Sequence, residues 1–375
     1  MRKHLLLGTT ALLAGAVAMP DYASAEDPLR LQVRGYKNEY FALGNVDDQP
    51  GTDFGSTSHF SDGEIHFKGD TTLDNGLTIG VQIELEATQN GDQIDEAYTN
   101  VSGGFGKLVI GSENLSPYLT FWGVTAPNVG VPINSGWISV WVPNEPNLGL
   151  NFRSPGRTTN VTMMNDTFGI SYQSPRFAGV QFTAGYSPSS ESANNGGGDP
   201  GNAVTNKTTE NHDIIEVGLN VKESVGGVDI GLAAGYGRSS VNDTADAAGS
   251  DDPQQVKAGI NIGVTGFSVG GSYANELEGN TNATNTNSQE GQSWDIGASY
   301  SVGPWGVSAI WFHGEEEHTI ADPDDDEVDA FVGAVSYALG PGIKSSFSVI
   351  YSENEDEGGS STDGTMGIIG LSISF

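Results

Sequence analysis

The chain has 375 residues, with 15 Lys and Arg against 48 Asp and Glu, a formal net charge of −33 and no cysteine. This charge excludes nucleic acid and anionic lipid as electrostatic partners, and the absence of thiols excludes disulfides and thiolate metal sites. The length suits two or three ordinary domains or one very large β structure.

The N-terminal segment has the features of a secretory signal peptide. A positive start at Arg2 and Lys3 is followed by an apolar run over 5–17 and a small-residue cleavage site at 23–25. We therefore predict that export removes residues 1–25. No later segment approaches about 20 consecutive apolar residues, so the sequence predicts no transmembrane helix.

The rest of the chain repeats one pattern, in which apolar residues alternate with small or polar ones. In the stretch 77–87 every second residue from Leu77 to Leu85 is apolar, and the residues between them are Thr, Gly, Gln and Glu. A period of two predicts strands with one apolar face. Sixteen strands are predicted, at 29–43, 61–69, 76–88, 93–102, 105–112, 166–174, 178–187, 213–222, 227–238, 255–264, 267–276, 292–301, 305–314, 327–338, 343–353 and 364–375.

The connections between these strands alternate in length. Short turns such as 74–76 and 225–227 alternate with mostly long polar segments such as 188–212 and 239–254. This asymmetry is typical of outer-membrane barrels, whose apolar strand faces meet lipid and whose polar faces line a lumen. The predicted fold of the mature chain, 26–375, is a 16-stranded antiparallel transmembrane β-barrel with both chain ends on the periplasmic side.

Aromatic residues lie near many predicted strand ends, among them Tyr36, Tyr40, Tyr98 and Trp311. Such rings suit the headgroup level of a membrane, and this placement predicts an aromatic belt. Ordinary β propensity also enriches strands in aromatics, so the clustering alone is not specific.

Three stretches resemble the Gram-negative general-diffusion porins, in particular the alphaproteobacterial type. Residues 61–87 followed by 92–113 resemble the second to fifth strands of that family. The stretch "FGISYQSPRFAGVQFTAGYSP" (168–188) resembles the hairpin after the constriction loop, and "GIIGLSISF" (367–375) ends on an aromatic, as these barrels do. The resemblance implies a homotrimer in the outer membrane of a Gram-negative bacterium.

The connection at 113–165 is the longest and carries several Trp, Phe and Pro residues. A loop above about 12–15 residues without secondary structure is usually functional or disordered, and bulky side chains with a stiff backbone favour packing against a wall. In the family that the chain resembles, this loop folds into the barrel and narrows it. We predict the same inward-folded constriction loop here, because a sixteen-stranded barrel alone leaves an open aqueous channel.

The alternation and the position of the loop also predict which charged residues line the constriction. In the family, basic wall residues face acidic loop residues, and Arg34, Lys68 and Lys107 opposite Glu145 would reproduce that pattern. Arg153 and Arg157 depart from it, because they lie on the loop itself. The alternative for every residue of the set is a salt bridge without a role in selectivity. The predicted constriction residues are Arg34, Lys68, Glu84, Lys107, Glu113, Glu145, Arg153 and Arg157.

The acidic run at 315–329 has two interpretations. Asp324, Asp325 and Asp326 offer closely spaced oxygen ligands for a structural calcium ion, but the run does not match an EF-hand loop. The alternative is a solvated external loop, with divalent cations bridging it to lipid phosphates as an intermediate case. No other cofactor is predicted.

The predicted function is passive diffusion of small hydrophilic solutes and ions through a water-filled channel, with a mild cation preference from the acidic residues. The predicted partners are these solutes, outer-membrane lipids and lipopolysaccharide, and no nucleic acid. A substrate-selective channel for sugars or anions is the nearest alternative, and a secreted soluble β-sandwich is another. An enzyme on a smaller barrel is disfavoured, because the histidines are scattered and no G-x-S-x-G motif occurs.

Overall fold

The computed structural model describes residues 29–48, 53–88, 93–134, 138–142, 155–164, 166–190, 205–279, 290–317, 325–356 and 358–375. Most of these residues lie in β-strands. The strands are β1 (Arg30–Val46), β2 (Thr57–Thr72), β3 (Thr78–Glu86), β4 (Ala97–Gly103), β5 (Gly106–Ser112), β6 (Phe168–Gln173), β7 (Val180–Ser189), β8 (His212–Val225), β9 (Val228–Ser240), β10 (Gln254–Val264), β11 (Phe267–Glu278), β12 (Gly291–Val302), β13 (Trp305–Glu316), β14 (Asp326–Gly340), β15 (Ile343–Glu355) and β16 (Ser361–Ser374). The short helices are α1 (Ser116–Leu119), the 3-10 helix Trp122–Val124, α2 (Ile138–Trp141) and α3 (Asp243–Ala248).

The strands form one closed barrel. Each strand pairs antiparallel with its neighbours in the chain, and β1 closes the ring on β16 in a register that runs from Tyr36 opposite Ser374 to Val46 opposite Gly364. The last residue completes this seam, because the Phe375 amide donates to the Gly35 carbonyl at 3.0 Å and the Gly35 amide donates back at 2.9 Å. The predicted all-β barrel with sixteen antiparallel strands is confirmed.

Alternation separates two faces on each strand. In β10, Val256, Ala258, Ile260, Ile262 and Val264 form the outer row, while Gln255, Lys257 and Asn261 point inward. The outer rows are exposed around the barrel, as at Leu31 and Leu43, which are 62% and 61% exposed. A contiguous exposed apolar band of this kind is what a barrel presents to the hydrocarbon of a membrane.

The two ends of the barrel differ. At one end, which we call the short-turn end, hairpins such as β10–β11 turn over two residues, Thr265 and Gly266, with φ of 48° and 80°. Paired positive φ values match the right-handed twist of the flanking strands, and Gly takes such values without steric cost. At the other end, the long-loop end, longer segments such as 113–167 and 241–253 connect the strands. Of the helices that the structure describes, none is long and apolar enough to cross a membrane.

Candidate functional site

The described part of the long loop after β5 lies inside the barrel, and Asp295 on the inward face of β12 is its main polar anchor. The Asp295 carboxylate accepts hydrogen bonds from the Ala126 amide at 2.7 Å, from Thr159 Oγ1 at 3.0 Å and from Asn134 Nδ2 at 2.5 Å. Ser272 on β11 also donates to it. Asp295 therefore joins two segments of the loop to the wall, 114–134 and 155–164, which we call its two limbs. The Asp295 side chain is only 3% exposed.

A second polar anchor forms on β8 and β10. Lys257 Nζ donates to Asn160 Oδ1 and to the Val161 carbonyl, each at 2.8 Å, and lies 5.1 Å from the ring centres of Tyr118 and Phe121. One buried ammonium thus contacts both limbs of the loop, through hydrogen bonds on one side and aromatic faces on the other. On β8, Glu216 accepts from the Met163 amide at 2.9 Å.

Apolar packing holds the loop against the wall near the seam of the barrel. Trp141 is 2% exposed and lies edge-on to Tyr40, with ring centres 5.8 Å apart. The inward faces of β1 and β13–β16 are therefore partly apolar, which differs from the small hydrophilic inward faces expected from the alternation. The buried residues of this cluster are Tyr40, Ala42, Val46, Val131, Ile133, Trp141, Val142, Ile310, Phe312, Val328, Ala330, Val332, Ile350, Met366 and Ile368.

Inward glycines let the loop backbone approach the strands. At Gly259 on β10 an added Cβ would lie 2.7 Å from Val124 Cγ2 and 3.0 Å from the Val124 carbonyl oxygen, so any side chain there would displace the 3-10 helix. The space beside these glycines is filled by the loop rather than by water. The number of Gly in the sequence does not distinguish these two cases. The inward glycines that meet the loop in this way are Gly169, Gly185, Gly218, Gly231, Gly237, Gly259, Gly297, Gly306, Gly314 and Gly364.

Charged side chains concentrate on the wall opposite these contacts. We call the inward faces of β2–β5 and of Arg30–Asn38 in β1 the open wall. Pairing places Arg34, His66 and Glu84 in one row across β1, β2 and β3, and Lys68 and Gln82 in the row below. His66 Nε2 lies 2.6 Å from Glu64 Oε2 and 2.9 Å from Glu84 Oε2.

An acidic group continues this wall at the long-loop end. Burial is the main cause that raises the pKa of Glu113 to about 8, and the nearby Glu84 and Asp166 charges add to it. Burial, with the charges of Asp95 and Glu113, raises the pKa of Glu96 to about 11. The carboxyl groups of Glu113 and Glu96 are therefore mostly protonated at neutral pH.

Three groups of side chains on this wall have the spacing that cation ligands need. Their ligand atoms lie within 4.8 Å of one another. Oxygen-rich sets suit hard divalent cations, and the set with an imidazole suits transition metals. The groups are Glu64 with His66 and Glu84, Glu64 with Glu86 and Asp95, and Asp95 with Glu96 and Asp166.

The residues predicted for the constriction divide into four sets. Arg34, Lys68, Glu84 and Lys107 all face the lumen on the open wall, as the alternation indicates. Glu113 lies at the end of β5 and is 9% exposed.

Arg157 is 8% exposed, close enough to Glu316 of β13 for the two charges to attract. Burial lowers the pKa of this guanidinium and the Glu316 carboxylate opposes the shift, so Arg157 acts as a contact of the loop with the wall. Glu145 and Arg153 lie outside the described residues. The place of Glu145 opposite the basic wall and the place of Arg153 in the constriction stay predictions.

The calcium prediction concerned the segment before β14. Asp326 is fully buried at the start of that strand, Asp325 is exposed, and Asp324 lies outside the described residues. Calcium at this segment therefore stays a prediction.

The anchors of the loop were not predicted from the sequence. Asp295, Lys257 and Glu216 each sit at an inward position between apolar outer residues. That signal was present in the alternation, since a lone charge on the inward face of a strand without charged neighbours needs a partner. The segment that supplies the partner is far away in sequence, as with Ala126 and Asp295, and no local pattern identifies it.

The geometry defines a class of protein. The outer face is apolar around a closed barrel, the inside is polar, and an inserted loop occupies part of the lumen. A barrel of this kind is a membrane-spanning channel of the outer-membrane type.

Comparison with known families agrees with this class. The family model described as Gram-negative porin matches residues 8–357, and the chain belongs to this family. The resemblance to porins inferred from the sequence is confirmed. The family and the fold are those of non-enzymatic channels of the outer membrane, so the prediction that the chain is not an enzyme is also confirmed.

Solved structures share the fold at low sequence identity. The chain is similar to a loop L8 deletion mutant of OmpT, an outer membrane protein of Vibrio cholerae, with a TM-score of 0.62 and 12% identity over 93% of this chain and 100% of that one. It is similar to an anion-selective porin from Comamonas acidovorans, with a TM-score of 0.59 and 16% identity over 93% and 100%. It is also similar to a triple mutant of the Rhodopseudomonas blastica porin, with a TM-score of 0.53 and 17% identity over 92% of this chain and 100% of that one. No match is found among curated proteins.

Proposed function

We propose that the chain forms a size filter for small hydrophilic solutes and ions, which cross the outer membrane passively between the inserted loop and the open wall. One observation carries this proposal. Hydrogen bonds from the described loop segments 116–134 and 155–164 run to strands from β6 to β15, as at Ser171, Asn220 and Ser348. The inward side chains of Arg34, His66 and Lys68 on the open wall therefore face the lumen. The described part of the loop thereby narrows the lumen on the side away from the open wall.

The size limit is tested by swelling of liposomes that contain the purified protein. Small sugars should enter, and larger oligosaccharides should be excluded at a sharp limit. Equal entry of all sizes would contradict a filter, and no entry of any solute would contradict diffusion.

We also propose that the channel mildly prefers cations. Glu64 and Glu86, which pair on the open wall towards the long-loop end, support this, because a vestibule lined by one sign of charge concentrates ions of the other sign. The reversal potential in a salt gradient across a planar bilayer measures the preference. Glu64→Gln with Glu86→Gln should shift it towards anions, whereas Asp246→Asn on the exposed helix α3 should leave it unchanged.

An anion-selective channel is the second candidate. It is favoured by the basic side chains of Arg34, Lys68 and Lys107 on the open wall. One structural relative is named as an anion-selective porin, although identity of 16% carries the fold alone. A reversal potential of the opposite sign would select this candidate. The proposed transverse pairing of these bases with Glu145 is tested by Glu145→Gln and Arg34→Gln, which should shift selectivity in opposite directions.

The assembly and its surroundings are proposals as well. Exposed apolar rows such as Phe41 and Leu43 on β1 and Ile369 on β16 support burial of part of the outer face in a homotrimer. Conductance that rises in steps of three would support it, and a monomer in mild detergent would contradict it. An aromatic row, Trp311 and Phe331, stacked at 5.5 Å, supports contact with the headgroups of lipopolysaccharide.

Export is proposed to remove residues 1–25, which lie outside the described residues. N-terminal sequencing of the protein from outer-membrane fractions tests this. A start near residue 26 is expected, and an intact N-terminus would contradict cleavage.

A further inference from the structure

Basic residues are scarce in this acidic chain, yet many of them line one end of the lumen. The chain has only 15 Lys and Arg. Six of them lie within four residues of the short-turn end of their strand, on inward faces. Against them, the inward acidic residues of the same zone are Asp70 and Asp229, so six positive and two negative charges leave a net charge of +4. The six residues are Arg30, Arg34, Lys68, Lys107, Lys222 and Lys344.

Register shows that the open-wall residues of this group face the lumen. Ser171 on β6 shares a hydrogen bond of 2.8 Å with Ser116 of the inserted loop, so its side of the sheet is the inner one. Pairing carries that side across the sheet through Val109 and Asn100 to Asp70 and Arg30. By alternation, Arg34 and Lys68 share the same face.

The remaining members of the group also contact the inner side. Gln173, the partner of Lys107, donates to Ser116 of the loop at 3.2 Å. Lys344 Nζ donates to the Val129 carbonyl at 3.3 Å, and Lys222 Nζ lies close to Gly123. Lys68 and Lys107 lie close enough for their charges to repel.

Acidic residues occupy the other end of the same wall. Glu64 and Glu86 pair in the row above His66 and Glu84. Glu113, at the end of β5, adds its charge as the pH rises past about 8. In the described part of the inserted loop, 114–134 and 138–142 contain no Asp, Glu, Lys or Arg, and Arg157 lies close to Glu316 of the wall. The charge pattern of the wall is therefore not cancelled by those segments.

We propose that this channel is an ionic rectifier, in which a cation-selective zone at the long-loop end and an anion-selective zone at the short-turn end stand in series along the pore. The inference rests on the proposed channel function. Each zone concentrates ions of opposite sign over about a Debye length, which is about 10 Å at 0.1 M salt and thus comparable to a narrowed lumen. Rings of charged side chains are the usual source of such selectivity in pores.

The order of the zones sets the sign of rectification. When the long-loop side is positive, cations enter through the acidic zone while anions enter through the basic zone, and both accumulate at the junction. When the voltage is reversed, each ion must first enter the zone that repels it, and the junction is depleted. The current is therefore larger when the long-loop side is positive.

The experiment is single-channel recording of the full-length mature protein in planar bilayers in KCl. The chain has no cysteine, so Asp246→Cys on the exposed helix α3 of the long-loop end gives a single thiol. Access of a charged, impermeant thiol reagent to this thiol from one chamber reports the orientation of each channel. At about 0.1 M KCl we expect currents at opposite voltages of about 100 mV to differ roughly two-fold or more, and at about 1 M, where the Debye length is about 3 Å, to become nearly equal.

Matched variants separate the zones from other sources of asymmetry. Lys68→Gln with Lys107→Gln should reduce the current ratio towards one, and Lys68→Arg with Lys107→Arg should preserve it. Arg238→Gln, an outward residue at the long-loop end, is a charge-removal control that should change nothing.

A linear current–voltage relation of an open channel at low salt would overturn the rectifier and leave the proposed diffusion function intact. Rectification that persists undiminished in the double Gln variant, or that has the opposite sign, would also overturn it. A protein that conducts no ions at all would overturn both proposals.

Discussion

Replacing Asp295 by Ala should release part of the inserted loop while leaving the barrel closed. Asp295 is the acceptor shared by Ala126, Asn134 and Thr159, which belong to two limbs of the loop. The barrel itself is held by ladder hydrogen bonds of β12 with β11 and β13, which do not involve this side chain. The perturbation therefore acts on the docking of the loop.

The magnitude follows from the loss of a buried charged acceptor. A hydrogen bond to a charged group contributes roughly 1.5–3 kcal/mol, and the donors left behind lose their partners. Three such bonds join Asp295 to the loop, and because the effects are not additive we expect a total of about 3–5 kcal/mol. A loss of about 4 kcal/mol lowers the ratio of docked to undocked loop about a thousand-fold.

The assay is single-channel conductance together with sugar entry into liposomes. Asp295→Ala should raise the conductance, add noise and extend sugar entry to larger solutes. Asp295→Asn, which keeps one acceptor oxygen, should have a smaller effect. Ser299→Ala, on the same face of β12 nearer the short-turn end, is the control. If far-UV circular dichroism shows an intact barrel and all three variants conduct like the parent, Asp295 does not hold the loop in place.

Gly259→Ala should push the 3-10 helix off the wall and raise the conductance, because its Cβ would lie 2.7 Å from Val124 Cγ2. Gly263→Ala, whose Cβ would have no atom nearer than 3.7 Å, should conduct like the parent. Equal conductance of the two variants would contradict the close approach of the loop at Gly259. Lys257→Met should weaken loop docking by about 1.5–3 kcal/mol, visible as open-channel noise that Lys257→Arg lacks; a quiet Met variant would contradict the anchor. Burial raises the pKa of Glu113 to about 8, so its carboxyl is mostly neutral at about pH 6 and mostly ionised at about pH 9. The cation preference measured by reversal potential should therefore rise over this range, and Glu113→Gln should flatten the rise; a flat profile in the parent would contradict the titration.

The strands could be predicted because their signal is local. Alternation located all sixteen, but several ends differ. The strand predicted at 61–69 extends over Thr57–Thr72, whereas the one predicted at 93–102 begins only at Ala97. Hydrogen-bonded pairing continues past the apolar band, where side-chain hydrophobicity no longer marks the strand. Side-chain hydrophobicity therefore marks the part of a strand that lies in the membrane, whereas backbone pairing is independent of it.

The aromatic belt was only partly predictable, because a ring near a strand end can point either way. Tyr36 and Tyr40 share the parity of Arg34 and face inward, where the Tyr36 hydroxyl donates to Glu64 Oε1 at 2.6 Å. Tyr98 also faces inward, in the row of Lys68 and Gln82. Their assignment to the belt was wrong, and checking parity along each strand would have corrected it.

The strand pattern does not predict which side of the barrel the loop covers, because an inward Gly has two interpretations. An inward Gly fits a hydrated lumen and also fits a wall that another segment must approach closely, and the two cases look identical within one strand. The distinction becomes visible between strands. Inward positions on β2 and β3 carry Glu64, Lys68 and Glu84, whereas those on β9 carry Gly231, Ala233, Gly235 and Gly237. Water does not require small inward residues, but a closely packed loop does. A run of inward Gly and Ala on one side of the barrel, opposite charged residues on the other, therefore indicates which side the loop covers.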